Sequence, residues 1–333
     1  MRPAPLSGWR GLVDAFEVNR RLGRGVNVLG YDPVWRSRER ARMRDHHFAL
    51  IREAGFNSVR VNLHPLRDGG VTADGRLAGH WLSVLDWAVE RSLEEGLAVV
   101  LDFHEFTAMG RAPLELKDKF LAFWRQIGDR YSGYPETVLF ELLNEPHGQL
   151  TPELWNRFLR EALEVVRRSN PDRVVVIGPA NWNSIHYLEK LDLPPEDRQI
   201  IATVHYYEPF QFTHQGARWA GLEGKVGVEW RGSEEEKRRI LEDFGKAQAW
   251  AEAHGRPIFL GEFGVYDKAP MDSRVRYLSF VARLAESLGW SWAYWQFDSD
   301  FVVYDIANER WVEPVLRALI PSTPASAPAR AQP

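Results

Sequence analysis

The chain has 333 residues, 44% of them hydrophobic, with a formal charge of −4 and no cysteine. It can bury a sizeable core and is not a disordered polymer. Its Lys and Arg are scattered and leave no nucleic-acid footprint, and without thiols it has no disulfide, zinc-thiolate site or thiol nucleophile. No apolar run approaches the roughly 18 residues of a membrane span, and residues 1–10 lack the apolar centre of a signal peptide.

In chain order, a first strand is expected at 25–29, then a helix at 40–54 with Met43, His47, Leu50 and Ile51 on one stripe. A strand at 58–63 precedes a helix at 81–94 that carries Trp81, Leu85 and Ala88 inward and closes at Gly96. Strand 98–103 and helix 114–131 follow, then strand 138–143 and helix 152–169. Strands at 174–177, 200–205, 258–260 and 291–296 complete a set of eight, with helices at 234–254, 274–288 and 311–320. The strands are short and apolar on both faces, as parallel strands covered by helices are. That alternation is the pattern of a single (β/α)8 TIM barrel over 1–320. A doubly wound fold would want Gly-x-Gly-x-x-Gly after strand one, and Gly23, Gly25 and Gly30 have the wrong spacing. The irregular stretch 206–232 is expected to be a functional loop. The tail 321–333 is rich in Pro, Ala and Ser, and is expected to be disordered, as at the start of a linker to an accessory module.

In such barrels the active site forms at the strands' C-terminal ends. This sequence places Arg60 and His64 there after strand two, Asp102, His104 and Glu105 after strand three, and Asn144, Glu145 and His147 after strand four. Strand six ends in His205 and Tyr207, strand seven in Glu262, and strand eight in Trp295 and Gln296. A buried acid at a strand end costs desolvation and usually has a task. Two of them, Glu145 and Glu262, converging on one rim form the working pair of glycoside hydrolysis. Of the fourteen tryptophans, about half are expected in the core. Trp35, Trp182, Trp292 and Trp295 stand near strand ends, where an indole can stack on a sugar ring. His64 and His147 fit a structural role as well as a sugar contact. Asp102 fits a cap or an internal pair in the barrel.

No metal site is expected. His104-Glu105 lacks the second histidine of a His-Glu-x-x-His run, since residue 108 is Ala. His46 and His47, as helix neighbours, are expected to face different sides. Asp298 and Asp300, after strand eight, fit sugar-hydroxyl contacts or solvated loop charges, the latter being the favoured reading.

Arg60 in Asn-Ser-Val-Arg, His104 in Leu-Asp-Phe-His, the Asn144-Glu145-Pro146 triplet, His205-x-Tyr207, Gly261-Glu262-Phe263-Gly264 and Trp295 together resemble glycoside hydrolase family 5. The stretch 205–216 is similar to that of its bacterial endoglucanases. The resemblance implies a retaining endo-β-1,4-glucanase that needs no cofactor. Glu145 would be the general acid/base and Glu262 the nucleophile, about 5–5.5 Å apart. Arg60 and Tyr207 would donate to Glu262 and keep it ionised, Asn144 would bind the sugar 2-hydroxyl, His104 another hydroxyl, His205 would adjoin the acid/base, and Trp295 would form the floor. It also implies a β-glucan or related plant polysaccharide as substrate and, because a polymer cannot enter a cell, an extracellular location. A β-mannanase or a mixed-linkage or xyloglucan-active enzyme would use the same machinery. A non-catalytic sugar-binding barrel would have no need of the glutamate pair.

Overall fold

A computed structural model describes residues 14–321. Eight parallel strands close into one barrel: β1 Arg24–Val28, β2 Ser58–Leu63, β3 Ala98–Phe103, β4 Val138–Glu141, β5 Val175–Ile177, β6 Ile200–Tyr206, β7 Ile258–Phe263 and β8 Ser291–Tyr294. β1 pairs with β8, Gly25 against Ala293, to close the ring. The expected (β/α)8 barrel is the fold this chain adopts. The tail expected to be disordered lies, apart from Pro321, outside the described residues.

Alternation along the strands explains where the site forms. Val99, Leu101 and Phe103 of β3 pack outward against the helices, while Ala98 and Val100 join Leu139, Val176, Ile201, Phe259 and Ala293 in a separate apolar layer inside the barrel. Helix Ala15–Leu22 plugs that layer from below with Ala15, Val18 and Leu22. It is held there by Asn19, which donates to the Ile258 carbonyl at 3.0 Å and accepts from Ser291 Oγ at 2.6 Å. The sequence reading has no helix here, although Asp14 caps it and its apolar residues recur with helical spacing. Two residues further up the same inward rows, Val100 and Leu139 give way to Asp102 and Glu141, and on β2 the inward Arg60 already stands level with Val100. The barrel is therefore greasy at its base and charged at its mouth.

Several boundaries differ from expectation. The helix expected at 40–54 is Asp45–Glu53, because residues 42 and 43 give their amides to the Asp32 carboxylate instead. β4 is regular only to Glu141 rather than 143, although the Leu142 amide still donates to the Val176 carbonyl of β5 at 3.1 Å and the Asn144 amide to the Phe103 carbonyl of β3 at 3.0 Å before the chain turns at Glu145. β7 runs on to Phe263, and β8 ends at Tyr294, short of Trp295 and Gln296. Trp311 lies in a small antiparallel hairpin with Tyr304, which delays the last helix to Glu313–Leu319. A short helix, Phe106–Arg111, follows β3 directly, and two more short turns lie at Ala180–Asn183 and Phe210–Thr213.

Two tryptophans expected near the cleft belong to the core. Trp35 sits in a 3-10 turn folded behind β1, where its indole N–H donates to the Leu29 carbonyl at 2.7 Å and its ring stacks on Trp81. Trp292 has the outward register on β8 and packs against Phe56 and Phe263. Among the described tryptophans, most are core residues, more than the half expected, because the helix layer needs large side chains to meet the barrel.

Trp35→Ala should lower stability by about 3–5 kcal/mol, as truncating a buried aromatic does. The urea midpoint reads this directly. A loss within about 0.5 kcal/mol would be that of a surface residue and would put the indole outside the core.

Candidate active site

Arg60 organises the barrel mouth. Fully buried on β2, it directs its Nε and Nη2 as a fork onto Glu141, both at 2.7 Å. Nη1 donates to Asn27 Oδ1 and to Glu262 Oε1, both at 2.8 Å, and Nη2 reaches Asn144 Oδ1 at 2.8 Å. All five guanidinium hydrogens have acceptors, which fixes the group's plane and position. Asp102 stands 3.1 Å away on β3.

Around this cation the expected residues come together. Glu262 on β7 accepts from Arg60 on Oε1 and from the Tyr207 hydroxyl on Oε2 at 2.9 Å, so both its oxygens are held. Glu145, in the turn after β4, is held by one contact, 2.7 Å between Oε1 and His205 Nδ1. Its backbone is left-handed, φ 42°, and its side chain keeps 14% exposure toward the cleft. Asp102 lies 2.5 Å from His104 Nδ1, and His104 Nε2 faces the Asn144 amide nitrogen at 3.3 Å. That chain fixes the Asn144 amide with its oxygen on Arg60 and its nitrogen toward His104. The Trp295 ring lies parallel to His104 at 5.5 Å. One cation thus faces four carboxylates in a site shielded from water, so protons are held tightly. Burial pushes Glu145 up to about 8, with Asp102 and Glu141 adding to the rise against Arg60. Burial raises Glu262 to about 7, the Glu145 charge adding to the rise while His205 and Arg60 oppose it. Asp102 and Glu141 are raised by the same burial. His104 and His205 are lowered, burial being the first cause.

The remaining candidates divide. His64 packs on His104 at 4.9 Å, and its Nε2 has no protein partner. Trp182 stands at the rim, 47% exposed and stacked on His147 at 3.6 Å. Gln296 is buried and lines a small cleft with Asn27, Asp32 and Asp298. Trp35 is a core residue and takes no part in the site. Asp298 is not a free solvated charge, since it pairs with Arg42 at 2.5 Å, whereas Asp300 accepts from the exposed Trp219 indole at 3.4 Å. Sequence reasoning missed Asn27, Glu141, Asn183, and the exposed rings of Tyr31 and Trp219. Glu141 could have been found as a lone acid on the inward row of an otherwise apolar strand. Asn27 shares that inward parity on β1.

Two groups among the described residues bring possible metal ligands together: Glu145, His205 and Glu262 at the mouth, and His46, His47 and Glu309 behind it. The two histidines do not face different sides as expected. Their ring centroids are 4.0 Å apart and both reach Glu309, because the His47 ring turns back to accept the Arg44 amide at 2.8 Å. That acceptance occupies Nδ1, so Nε2 carries the proton; it lies 3.4 Å from Glu309 but makes no hydrogen bond. With Nδ1 taken by the Arg44 amide and a proton on Nε2, His47 has no lone pair free for a metal.

The chain matches the family model Cellulase (glycosyl hydrolase family 5) over residues 21–309. It is 28% identical to Endoglucanase H of Acetivibrio thermocellus over 92% of this chain, and 29% identical to Endoglucanase 3 of Fibrobacter succinogenes over 90%. It spans only 34% and 52% of those two relatives' lengths. Against the crystal structure of endoglucanase Cel5A from Thermotoga maritima the identity is 42% and the TM-score 0.86, covering 92% of this chain and all of the other.

Arg60→Met should cost about 3–5 kcal/mol, since it strands Glu141 as a buried charge without its partner. Adding Glu141→Leu should recover part of that loss, read from urea denaturation of the single and double variants. Equal losses in both would contradict the pairing.

Proposed function

This chain belongs to glycosyl hydrolase family 5, and from that premise we propose that it cleaves β-1,4-glucosidic bonds within glucan chains, with retention of configuration. The observation that carries this reading is a separation. A carboxylate oxygen of Glu145 lies within 4.8 Å of one of Glu262. An inverting pair needs about 6.5–9.5 Å to admit a water between carboxylate and sugar, whereas a retaining pair sits close enough for direct attack.

The asymmetry of the two glutamates supports their roles. Glu262, with both oxygens held by donors, is fixed in place and is the more easily ionised of the two. It attacks the anomeric carbon while Glu145 gives its proton to the departing glycosidic oxygen, leaving a glycosyl ester on Glu262. Glu145, now ionised, takes a proton from water, whose oxygen displaces Glu262 from the same carbon. The Asn144 amide keeps a hydrogen for the sugar 2-hydroxyl, and Trp295 offers a ring face as floor. Exposed rings on three loops, Tyr31 after β1, Trp182 after β5, and Trp219 after β6, fit a polymer longer than one sugar. A glucan is favoured by relatives named endoglucanase and by a Cel5A complex with cellobiose. The same Cel5A is also described with a mannotriose substrate at 41% identity, so mannan is the second reading. Reducing-sugar release from carboxymethyl cellulose, lichenan and galactomannan separates them. Release from the two glucans, with an early fall in viscosity, is expected, and release from galactomannan alone would overturn the glucan assignment.

The pH profile follows from the pair. Activity needs Glu262 ionised and Glu145 protonated, so kcat/KM should rise through about 7 and fall through about 8. These are apparent values of the coupled pair. Both limbs should lie above the ordinary glutamate value of about 4.3. An optimum near that value would mean that burial does not raise the two carboxyl groups.

Azide separates the roles. Glu145→Ala with a dinitrophenyl glycoside should form the ester without an acid, then stall, and azide should release a β-glycosyl azide. Glu262→Ala should give no β-azide. The reverse pattern would exchange the two assignments.

A further inference from the structure

Three consecutive residues, Asn181, Trp182 and Asn183, have left-handed backbones, with φ of 60°, 66° and 53°. Asparagine tolerates that conformation, but tryptophan rarely does. The turn is held by the Trp182 amide, which donates to the Pro146 carbonyl at 3.2 Å, and by a bridge between Ser184 and His205 on β6. Its result is to bury the Asn183 side chain completely and bring its amide nitrogen to 3.2 Å from His205 Nε2.

An amide nitrogen only donates, so His205 Nε2 is an acceptor there and the single proton of the neutral imidazole is on Nδ1. Nδ1 is the atom 2.7 Å from Glu145 Oε1 and 3.6 Å from Glu262 Oε2. A donor at Oε1 leaves Oε2 as the oxygen on which Glu145 can carry its own proton.

We propose that Asn183 is a positioning residue for catalysis: it fixes His205 as the Nδ1–H tautomer, which occupies Oε1 of Glu145 and confines the catalytic proton to Oε2. This rests on Glu145 being the acid/base. With the other tautomer, Nδ1 would be an acceptor and would draw the Glu145 proton onto Oε1, into a hydrogen bond with the histidine and away from the leaving group. The charged and titratable groups facing the pair are Arg60 from β2, Asp102 from β3, Glu141 from β4, Glu262 from β7, and the hydroxyls of Tyr207 and Tyr31. None of them touches Nε2 in the described hydrogen bonds, which leaves Asn183 as its partner.

The test compares kcat/KM for phenyl and 2,4-dinitrophenyl cellobioside in wild type, Asn183→Ala, Asn183→Asp and Glu145→Ala. This parameter reports only the steps up to glycosylation, and the shared glycone cancels any loss of binding at Trp182. Asn183→Ala should lose about tenfold or more on the phenyl substrate, which needs the acid, and less than about twofold on the dinitrophenyl one. The dinitrophenyl rate also shows that the variant is folded. In Asn183→Asp the new carboxylate demands a proton on Nε2, so 15N NMR of labelled histidine should show Nε2–H at His205 in place of the wild-type Nδ1–H, the signal being assigned by its loss in His205→Gln. Equal losses on both substrates in Asn183→Ala, or a wild-type His205 protonated on Nε2, would overturn the proposal. If Glu145→Ala itself shows no leaving-group dependence, then the reading of Glu145 as the acid fails instead.

Discussion

A single guanidinium buried among four carboxylates governs the mouth of this barrel. Among the described residues, Arg60 is the one side chain hydrogen-bonded to residues from β1, β4 and β7 and to the turn after β4 at once. Its five hydrogens are all committed, so its neighbours are placed relative to each other through it. Such a cluster is poor in net stabilisation, because desolvating the charges offsets much of their attraction. What it supplies is position and charge imbalance. With too little positive charge for every carboxylate to ionise, the site retains protons at a pH where exposed glutamates would have none, and a general acid needs that.

The barrel can hold this charge because its lower half is dry. The inward layer from Ala98 to Ala293 and the plug of helix Ala15–Leu22 supply an apolar floor under the cluster. The polar residues begin two positions further along the same strand rows, so the distance between core and site is one repeat of the pleat. The supporting chains then run outward from the cluster: Asp102 to His104 to Asn144 on one side, and Asn183 to His205 to Glu145 on the other. In both chains a histidine is oriented by a partner on one nitrogen and presents the other to a group facing the cleft, which is how an imidazole is held in one tautomer.

Much of this was legible in the sequence. Strands covered on both faces must be apolar, so charged residues such as Arg60 and Glu262 stand out against Val, Leu and Phe. The details that escaped depend on distant partners. Leu142 and Leu143 look like strand because they are buried, yet β4 is regular only to Glu141, and the hydrogen bonds beyond it go from Leu142 to β5 and from Asn144 to β3. Trp35 and Trp182 are both tryptophans past a strand end. One turns under its own loop, and the other stands out on a left-handed turn whose anchor, Pro146, belongs to the loop after β4. The rings of His46 and His47 meet because His47 turns back onto the Arg44 amide, and both then lie beside Glu309, at the far end of the chain. No local pattern contains those contacts.

In the proposed reaction Glu262, held on both oxygens, becomes covalently attached to the sugar, and every other role depends on that bond. Incubating the enzyme with a 2-deoxy-2-fluoro cellobioside bearing a dinitrophenyl leaving group, then digesting it and mapping the labelled peptide by mass spectrometry, tests it directly. One fluorocellobiosyl group, on Glu262, is the expected result. A label on Glu145, or turnover with no trapped ester, would contradict it.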